Sequence, residues 1–376
     1  MEQNNSFIPV YEPVLKGNEW NYLKECIKTN WISSKGKFIE QFEASFANYN
    51  NVAYALTTSN GTTALHLALI SLGIKKGDEV IVPDLTFAAS INSILYCGAK
   101  PILVDIERDT FNIDTHLIEQ KITSVTKAIM PVHLYGNPCN MDDIIKIANK
   151  YKLFVIEDSA EAFGSEYKSK KVGTFGDSGC FSFYGNKTIT TGEGGMIVYK
   201  DKKLYEKAKI LRDHGMDPQK PYWHQHVGYN YRMTNMQAAI GLAQLERANN
   251  IISRKIEIAN VYKEHLCDID GIHFPFVDKN NLNTYWLVSI VLDSKLKINR
   301  DELQKGLFNF GIDSRPFFYP IHIMPPYHNL FDKRESFPNS SFISAHGLSL
   351  PSSVNLTNNK IKYICQKIKE IINYSD

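Results

Sequence analysis

A chain of 376 residues is longer than one hydrophobic core ordinarily serves, so two domains within one folded unit are expected. Its 43% hydrophobic and 22% charged residues exclude a disordered chain, except at the ends, and a net charge of +2 excludes a large basic field for nucleic acid. Local basic groups can still receive a small anion. The cysteines Cys26, Cys97, Cys139, Cys180, Cys267 and Cys365 are scattered without a Cys-x-x-Cys pair, which argues against a zinc module or a disulfide scaffold and predicts buried or inert thiols. The amino-terminal stretch MEQNNSFIPVYEP has no apolar signal core and no run is long enough to span a membrane, so a cytoplasmic protein is expected.

Between about Asn60 and Val198, short β-rich runs alternate with helical segments. A helix is predicted after Ser59-Asn60-Gly61-Thr62, where strong helix formers run from Thr63 to Leu69. The turn Lys76-Gly77-Asp78 leads into the run Val80–Pro83, followed by Pro101–Val104, Ala128–Met130, Leu153–Ile156 and Gly195–Val198, with a helix near Met141–Lys152. These runs are almost continuously apolar rather than alternating, as strands covered on both faces are, so a mostly parallel α/β sheet is expected. A long helical stretch, Met233 to Asn249, closes the alternation. It places the boundary between a large domain, 1–248, and a smaller carboxy-terminal α+β domain, 249–376. The latter contains an apolar run, Tyr285–Val291, and a last helix whose Ile361, Ile364, Ile368 and Ile371 recur at helical spacing, a stripe read as core.

The chemistry centres on Phe181-Ser182-Phe183-Tyr184-Gly185-Asn186-Lys187-Thr188-Ile189-Thr190-Thr191-Gly192-Glu193-Gly194-Gly195. Taken alone, a loop lysine reads as a solvated charge. Here glycines permit close backbone approach, and an amine confined in such a site can lose its proton and attack an aldehyde. Asp158 follows an apolar run, at the carboxyl end of a strand where ligands collect in parallel sheets; it also suits a helix N-cap, and both roles are open. Gly61-Thr62 opens a helix, either as an ordinary cap or as a cradle of free amides for a phosphate, to which Ser182 could add a hydroxyl. Phe87, just past Val82-Pro83, is either a core aromatic or a ring stacked on a flat ligand. Together these parts suit pyridoxal phosphate, which needs an amine, a carboxylate at its ring nitrogen, phosphate donors and a stacking ring.

The whole set resembles the DegT-type sugar-nucleotide aminotransferases, a branch of the fold-type-I pyridoxal-phosphate enzymes, over nearly the whole chain. The resemblance rests on Ser59–Thr62, Pro131-Val132-His133-Leu134-Tyr135-Gly136, Glu157-Asp158-Ser159-Ala160-Glu161-Ala162, the Lys187 segment and Gly228-Tyr229-Asn230-Tyr231-Arg232-Met233. It implies that Lys187 is the Schiff-base lysine and that Asp158 pairs with the pyridine nitrogen. It further implies Glu161 near the phenolic oxygen, where many relatives have Gln, and Gly61, Thr62 and Ser182 on the phosphate. By the same resemblance Phe87 would stack on the ring and Asn230 would reach the cofactor phosphate of a neighbouring subunit, so at least a homodimer is expected. Tyr184–Gly195 together with Pro9–Pro13 resembles the branch that converts GDP-4-keto-6-deoxymannose to GDP-perosamine with glutamate, for O-antigen or another surface glycan. Related dehydratases carry histidine in place of the lysine, which Lys187 argues against.

Trp31, His214, Arg232, Arg315 and His322 are candidates for the nucleotide-sugar site, arginine being suited to a diphosphate, with surface salt bridges as the other reading of both arginines. His214, His224 and His226 match no metal-site spacing and are read as loop histidines. A UDP- or dTDP-linked ketosugar is the rival substrate. A non-catalytic ligand-binding or regulatory relative is the rival class, against which Lys187, Asp158 and Ser182 count.

Overall fold

The computed structural model describes residues 7–332 and 334–373; the first six residues of the amino-terminal stretch lie outside them. Strands Tyr54–Thr58 (β1), Glu79–Pro83 (β2), Lys100–Val104 (β3), Thr126–Ile129 (β4), Phe154–Asp158 (β5), Ser178–Ser182 (β6) and Gly195–Tyr199 (β7) form one sheet in the order β1-β7-β6-β5-β4-β2-β3. Only β7 runs against its neighbours, so the sheet is mostly parallel, as the apolar runs predict. β1 and β6 are missing from the sequence reading, because their threonines, serines and glycine break the apolar run.

Successive strand residues point to opposite faces, and both faces are covered. On one face Leu56, Val80, Val82, Ile156 and Ile197 pack against helices Gly61–Leu72, Ala88–Tyr96 and Lys202–Arg212. On the other, Ala55, Phe181, Met196 and Val198 meet Phe42 and Phe46 of helix Lys37–Tyr49, while Ile81, Ile129 and Val155 meet helix Met141–Tyr151. Each fully buried Phe in that layer contributes roughly 1.5–3 kcal/mol. Helix Gly61–Leu72 is largely buried. Asn60 and Thr63 close a capping box at its start, and Gly73, in the left-handed region, ends it.

A second sheet, antiparallel, is built from Ile272–His273 (β8), Val288–Leu292 (β9), Arg315–Pro316 (β10) and Gly347–Leu350 (β11) in the order β8-β9-β11-β10. Helices Ala248–Leu266, Arg300–Asn309 and Asn358–Asn373 cover it, with Ile361, Ile364 and Ile368 fully buried in that core and Ile371 packed at its edge. Ile8 belongs to the same core and pairs with Ile312, so the amino-terminal strap crosses from the second sheet to the first.

Two predicted elements differ. The stretch Met233–Asn249 is two helices, Asn235–Leu245 and Ala248–Leu266, because Arg247 leaves helical geometry at φ −108°, ψ 6°. The run Tyr285–Val291 becomes a strand only at Val288, because Tyr285 sits at φ +49° with its amide donating to Asn283 Oδ1 at 2.6 Å. That turn carries Trp286 into the cleft between the sheets. All six cysteines are free; Cys26, Cys139, Cys180 and Cys365 are buried, Cys97 is half-buried and Cys267 is exposed. Among the described residues no helix is long and apolar enough to cross a membrane, and no cluster of three or more His, Cys, Asp or Glu could hold a metal.

Candidate active site

The carboxyl ends of the parallel strands open into one cavity of about 650 Å³, within the size range of small-molecule sites. Gly61, Thr62, Phe87, Asp158, Glu161, Ser182 and Lys187 all line it. The strand register explains part of the convergence. Ser182 pairs with Gly195 and Gly195 with Thr58, so the ends of β1 and β6 share a row with the start of antiparallel β7. A side chain at Gly195 would place Cβ 2.5 Å from the Asn60 carbonyl oxygen, so only glycine lets these strands close up beneath the helix start.

Gly61 is held as tightly: a Cβ there would lie 2.8 Å from Ser182 Cβ and 3.1 Å from its Oγ. The first amides of helix Gly61–Leu72 have no partner within the helix, and they stand beside the Ser182 hydroxyl at the positive end of the helix dipole. Backbone and one small side chain form a cup whose chemistry suits an anion.

Asp158 and its neighbour Glu157 face opposite sides of the sheet. Glu157 accepts from the amides of Gly173, Phe175 and Gly176 at 2.7 Å each and holds that loop. Asp158 faces the cavity, accepting from the Ser90 hydroxyl at 2.7 Å and the Ala160 amide at 3.1 Å. Burial pushes its carboxyl up, against the pull of those two donors and of Lys187.

Lys187 Nζ lies 3.5 Å from Glu161 Oε1 and 3.6 Å from the centre of the Trp286 ring. Burial lowers the lysine and raises Glu161, so in this site desolvation favours neutral forms on both sides. The other Glu161 oxygen accepts from the Tyr135 amide at 2.9 Å, which fixes the carboxylate. Phe87, exposed at the start of helix Ala88–Tyr96, leans on Phe318 with ring centres 5.5 Å apart. The amine, the carboxylates, the cup and the exposed ring fit pyridoxal phosphate.

The substrate candidates are dispersed. Arg315 lines an adjoining cavity of about 760 Å³ that shares Phe87, Tyr184, Trp286 and Phe318 with the first, and it pairs with Asp313 at 3.1 Å. His322 lines neither cavity; it bonds the buried Asp84 at 2.8 Å and ties the second sheet's connection to the end of β2. His214, Asn230 and Arg232 form one surface cluster, with Arg232 reaching His214 at 3.1 Å, Asn230 at 3.0 Å and Asp213 at 2.7 Å. Trp31 lines a separate surface cavity beside Asn235. None of these last four lines the lysine cavity within one chain.

Residues absent from the sequence reading of the site are Ser90, Tyr135, Trp286 and Tyr11. Tyr135 and Tyr11 stood inside motifs already noted, whereas nothing in the sequence marks Ser90 or Trp286.

An α/β fold with a buried lysine, an acid and an anion cup at its strand ends defines the class of lysine-anchored aminotransferases. The DegT/DnrJ/EryC1/StrS aminotransferase family matches residues 13–369, and the chain belongs to it. A GDP-perosamine synthase from Escherichia coli O157:H7 is 52% identical, covering 98% of this chain and 99% of its own. Another from Vibrio cholerae is 47% identical, covering 97% and 99%. Among solved structures, Helicobacter pylori PseC, an aminotransferase involved in the biosynthesis of pseudoaminic acid, superposes with a TM-score of 0.93 at 27% identity, covering 98% of this chain and 100% of its own.

Proposed function

We propose that this chain transfers the amino group of glutamate to C4 of GDP-4-keto-6-deoxymannose, giving GDP-perosamine. The carrying observation is that Lys187, Asp158, Glu161 and the Gly61–Ser182 cup converge in one cavity of a chain 52% identical to a GDP-perosamine synthase. The cofactor is pyridoxal phosphate, the form in which one similar solved structure was captured. When bound, it supplies a carbonyl carbon for the amine and a ring that withdraws electrons from the substrate carbon.

The chain's own residues do the rest. Lys187 Nζ, its proton affinity lowered by burial, is the covalent anchor and then the base that takes and returns a proton at the carbon bearing the migrating nitrogen. Asp158, held by Ser90 and the Ala160 amide, keeps a proton on the ring nitrogen. Glu161, oriented by the Tyr135 amide, would serve the phenolic oxygen. Gly61, Thr62 and Ser182 would hold the phosphate, and Phe87 would cover the ring. Asn230, with His214 and Arg232 beside it, serves a partner's site in a homodimer, and Arg315 receives the nucleotide sugar's diphosphate. A cytoplasmic location goes with this reading, and the product serves a surface glycan.

Purified protein with glutamate and, in turn, GDP-, UDP- and dTDP-linked 4-keto-6-deoxy sugars should form ketoglutarate and an amino sugar with the GDP substrate; turnover of the UDP sugar alone rejects the assignment. Lys187→Ala should lose the visible absorbance of the lysine-bound cofactor, and an unchanged spectrum rejects the lysine's role.

A further inference from the structure

The loop that carries Lys187 is gripped from outside the first sheet. Trp286, brought in by the turn before β9, donates its indole N–H to the Asn186 carbonyl at 2.6 Å. Tyr11, on the amino-terminal strap, donates its hydroxyl to the very next carbonyl, that of Lys187, at 2.6 Å. Consecutive peptide groups of the lysine loop are therefore pinned by side chains 100 and 176 residues away in sequence.

The strap itself is anchored to the second sheet. Ile8 exchanges backbone hydrogen bonds with Gly311 and Asp313 at 2.8 and 2.9 Å. On either side of Tyr11, the Val10 carbonyl accepts from the Ser352 amide at 2.9 Å and the Glu12 amide donates to Ser353 Oγ at 2.7 Å. Buried Lys255 donates to the Ser352 carbonyl at 2.9 Å and lies 5.1 Å from the Tyr11 ring centre. Tyr11 is thus placed by the second sheet and its helices, while its hydroxyl ends on the first sheet's lysine loop.

We propose that Tyr11 and Trp286 are positioning residues that brace the Lys187 backbone and make the lysine's placement depend on the docking of the second sheet. The inference rests on Lys187 being the reacting amine. Tyr11 acts through the loop backbone alone, whereas Trp286 holds the backbone and also meets Nζ. Their hydrogen bonds restrict the peptide on each side of Lys187, so the amine returns to one position after each release, and rigid support of this kind is what a reacting group requires. Trp286 adds its ring face beneath Nζ, a favourable seat for the amine when protonated.

The test uses the full chain with Tyr11→Phe, which removes one hydroxyl and keeps the ring, and separately Trp286→Phe. In the cofactor-free protein, amide hydrogen exchange across residues 184–190 should quicken about fivefold in each variant, the effect of losing one hydrogen bond. With cofactor, kcat should fall about tenfold with KM within about twofold, since positioning acts on the chemical step. Unchanged exchange in Tyr11→Phe overturns the brace, and so does a rise in KM at constant kcat, which would mark Tyr11 as a substrate contact. If Trp286→Phe misfolds, Tyr11→Phe alone decides the matter. Retention of the cofactor band in Lys187→Ala would fail the lysine reading and leave the exchange result standing, so the two failures are distinguishable.

Discussion

Glu161 Oε1 stands 3.5 Å from Lys187 Nζ, with Glu161 buried and Lys187 mostly so. The carboxylate's attraction raises the lysine's proton affinity, while burial lowers it by more. Removing the carboxylate leaves the lowering effect opposed by Asp158 alone. Glu161→Gln should therefore shift the pH midpoint for attachment of added pyridoxal phosphate to lower pH, followed by visible absorbance. A shift to higher pH would contradict the assignment of Glu161 as the lysine's charge partner.

Gly61→Ala tests the phosphate cup. The helix continues without strain, because Gly61 is not among the residues at positive φ, but the new methyl collides with Ser182 Cβ at 2.8 Å. Displacing Ser182 should cost about 1–3 kcal/mol at that spot. The dissociation constant for pyridoxal phosphate should rise about tenfold or more, while the cofactor-free chain melts only a few degrees lower. Equal affinity in variant and parent would place the phosphate elsewhere.

Asp84 and His322 should make the docking of the second sheet pH-dependent. The hydrogen bond from His322 to Asp84 raises the imidazole above its usual 6.5, while burial keeps the Asp84 carboxyl above its own usual range. A base raised on folding lends stability below its unfolded value and loses it as pH climbs through the folded one. His322→Asn should thus destabilise by about 1–3 kcal/mol at about pH 6 and by less at about pH 9, read from denaturant midpoints. A gap that widens with pH would reverse the sign.

Lys255 acts in the opposite direction. Burial pushes its amine down to about 7 from 10.5. A base lowered on folding opposes the native state below its folded value, and that opposition fades as pH rises from about 7 toward 10.5, over a range on the order of 4 kcal/mol. Stability of the parent should therefore climb between about pH 7 and about pH 9.5, and Lys255→Met should flatten the climb; urea midpoints at those two values decide it.

Much of the candidate site is legible in the sequence because the residues that share its cavity sit beside local punctuation. Lys187 lies in a glycine-rich loop, Asp158 at the end of an apolar run and Gly61-Thr62 at a helix start. These signals span a few residues and do not depend on what packs against them. His322 and Arg232 are both candidates for the nucleotide-sugar site in the sequence, Arg232 for the charge and geometry of its guanidinium. Within the chain His322 is a clamp on Asp84 and Arg232 the hub of a surface cluster, and a residue's charge does not say which partner lies within reach.

From the sequence by itself came the mostly parallel sheet and the candidate lysine, because apolar runs, turn residues and motif spacing are local properties. The tertiary structure alone decided that Ser90 holds Asp158, that Gly61 lies against Ser182, and that Tyr11 and Trp286 grip neighbouring carbonyls of the lysine loop. Those contacts join residues far apart in the chain. They follow from the order β1-β7-β6-β5-β4-β2-β3 and from how the second sheet docks on the first, and no local pattern encodes either.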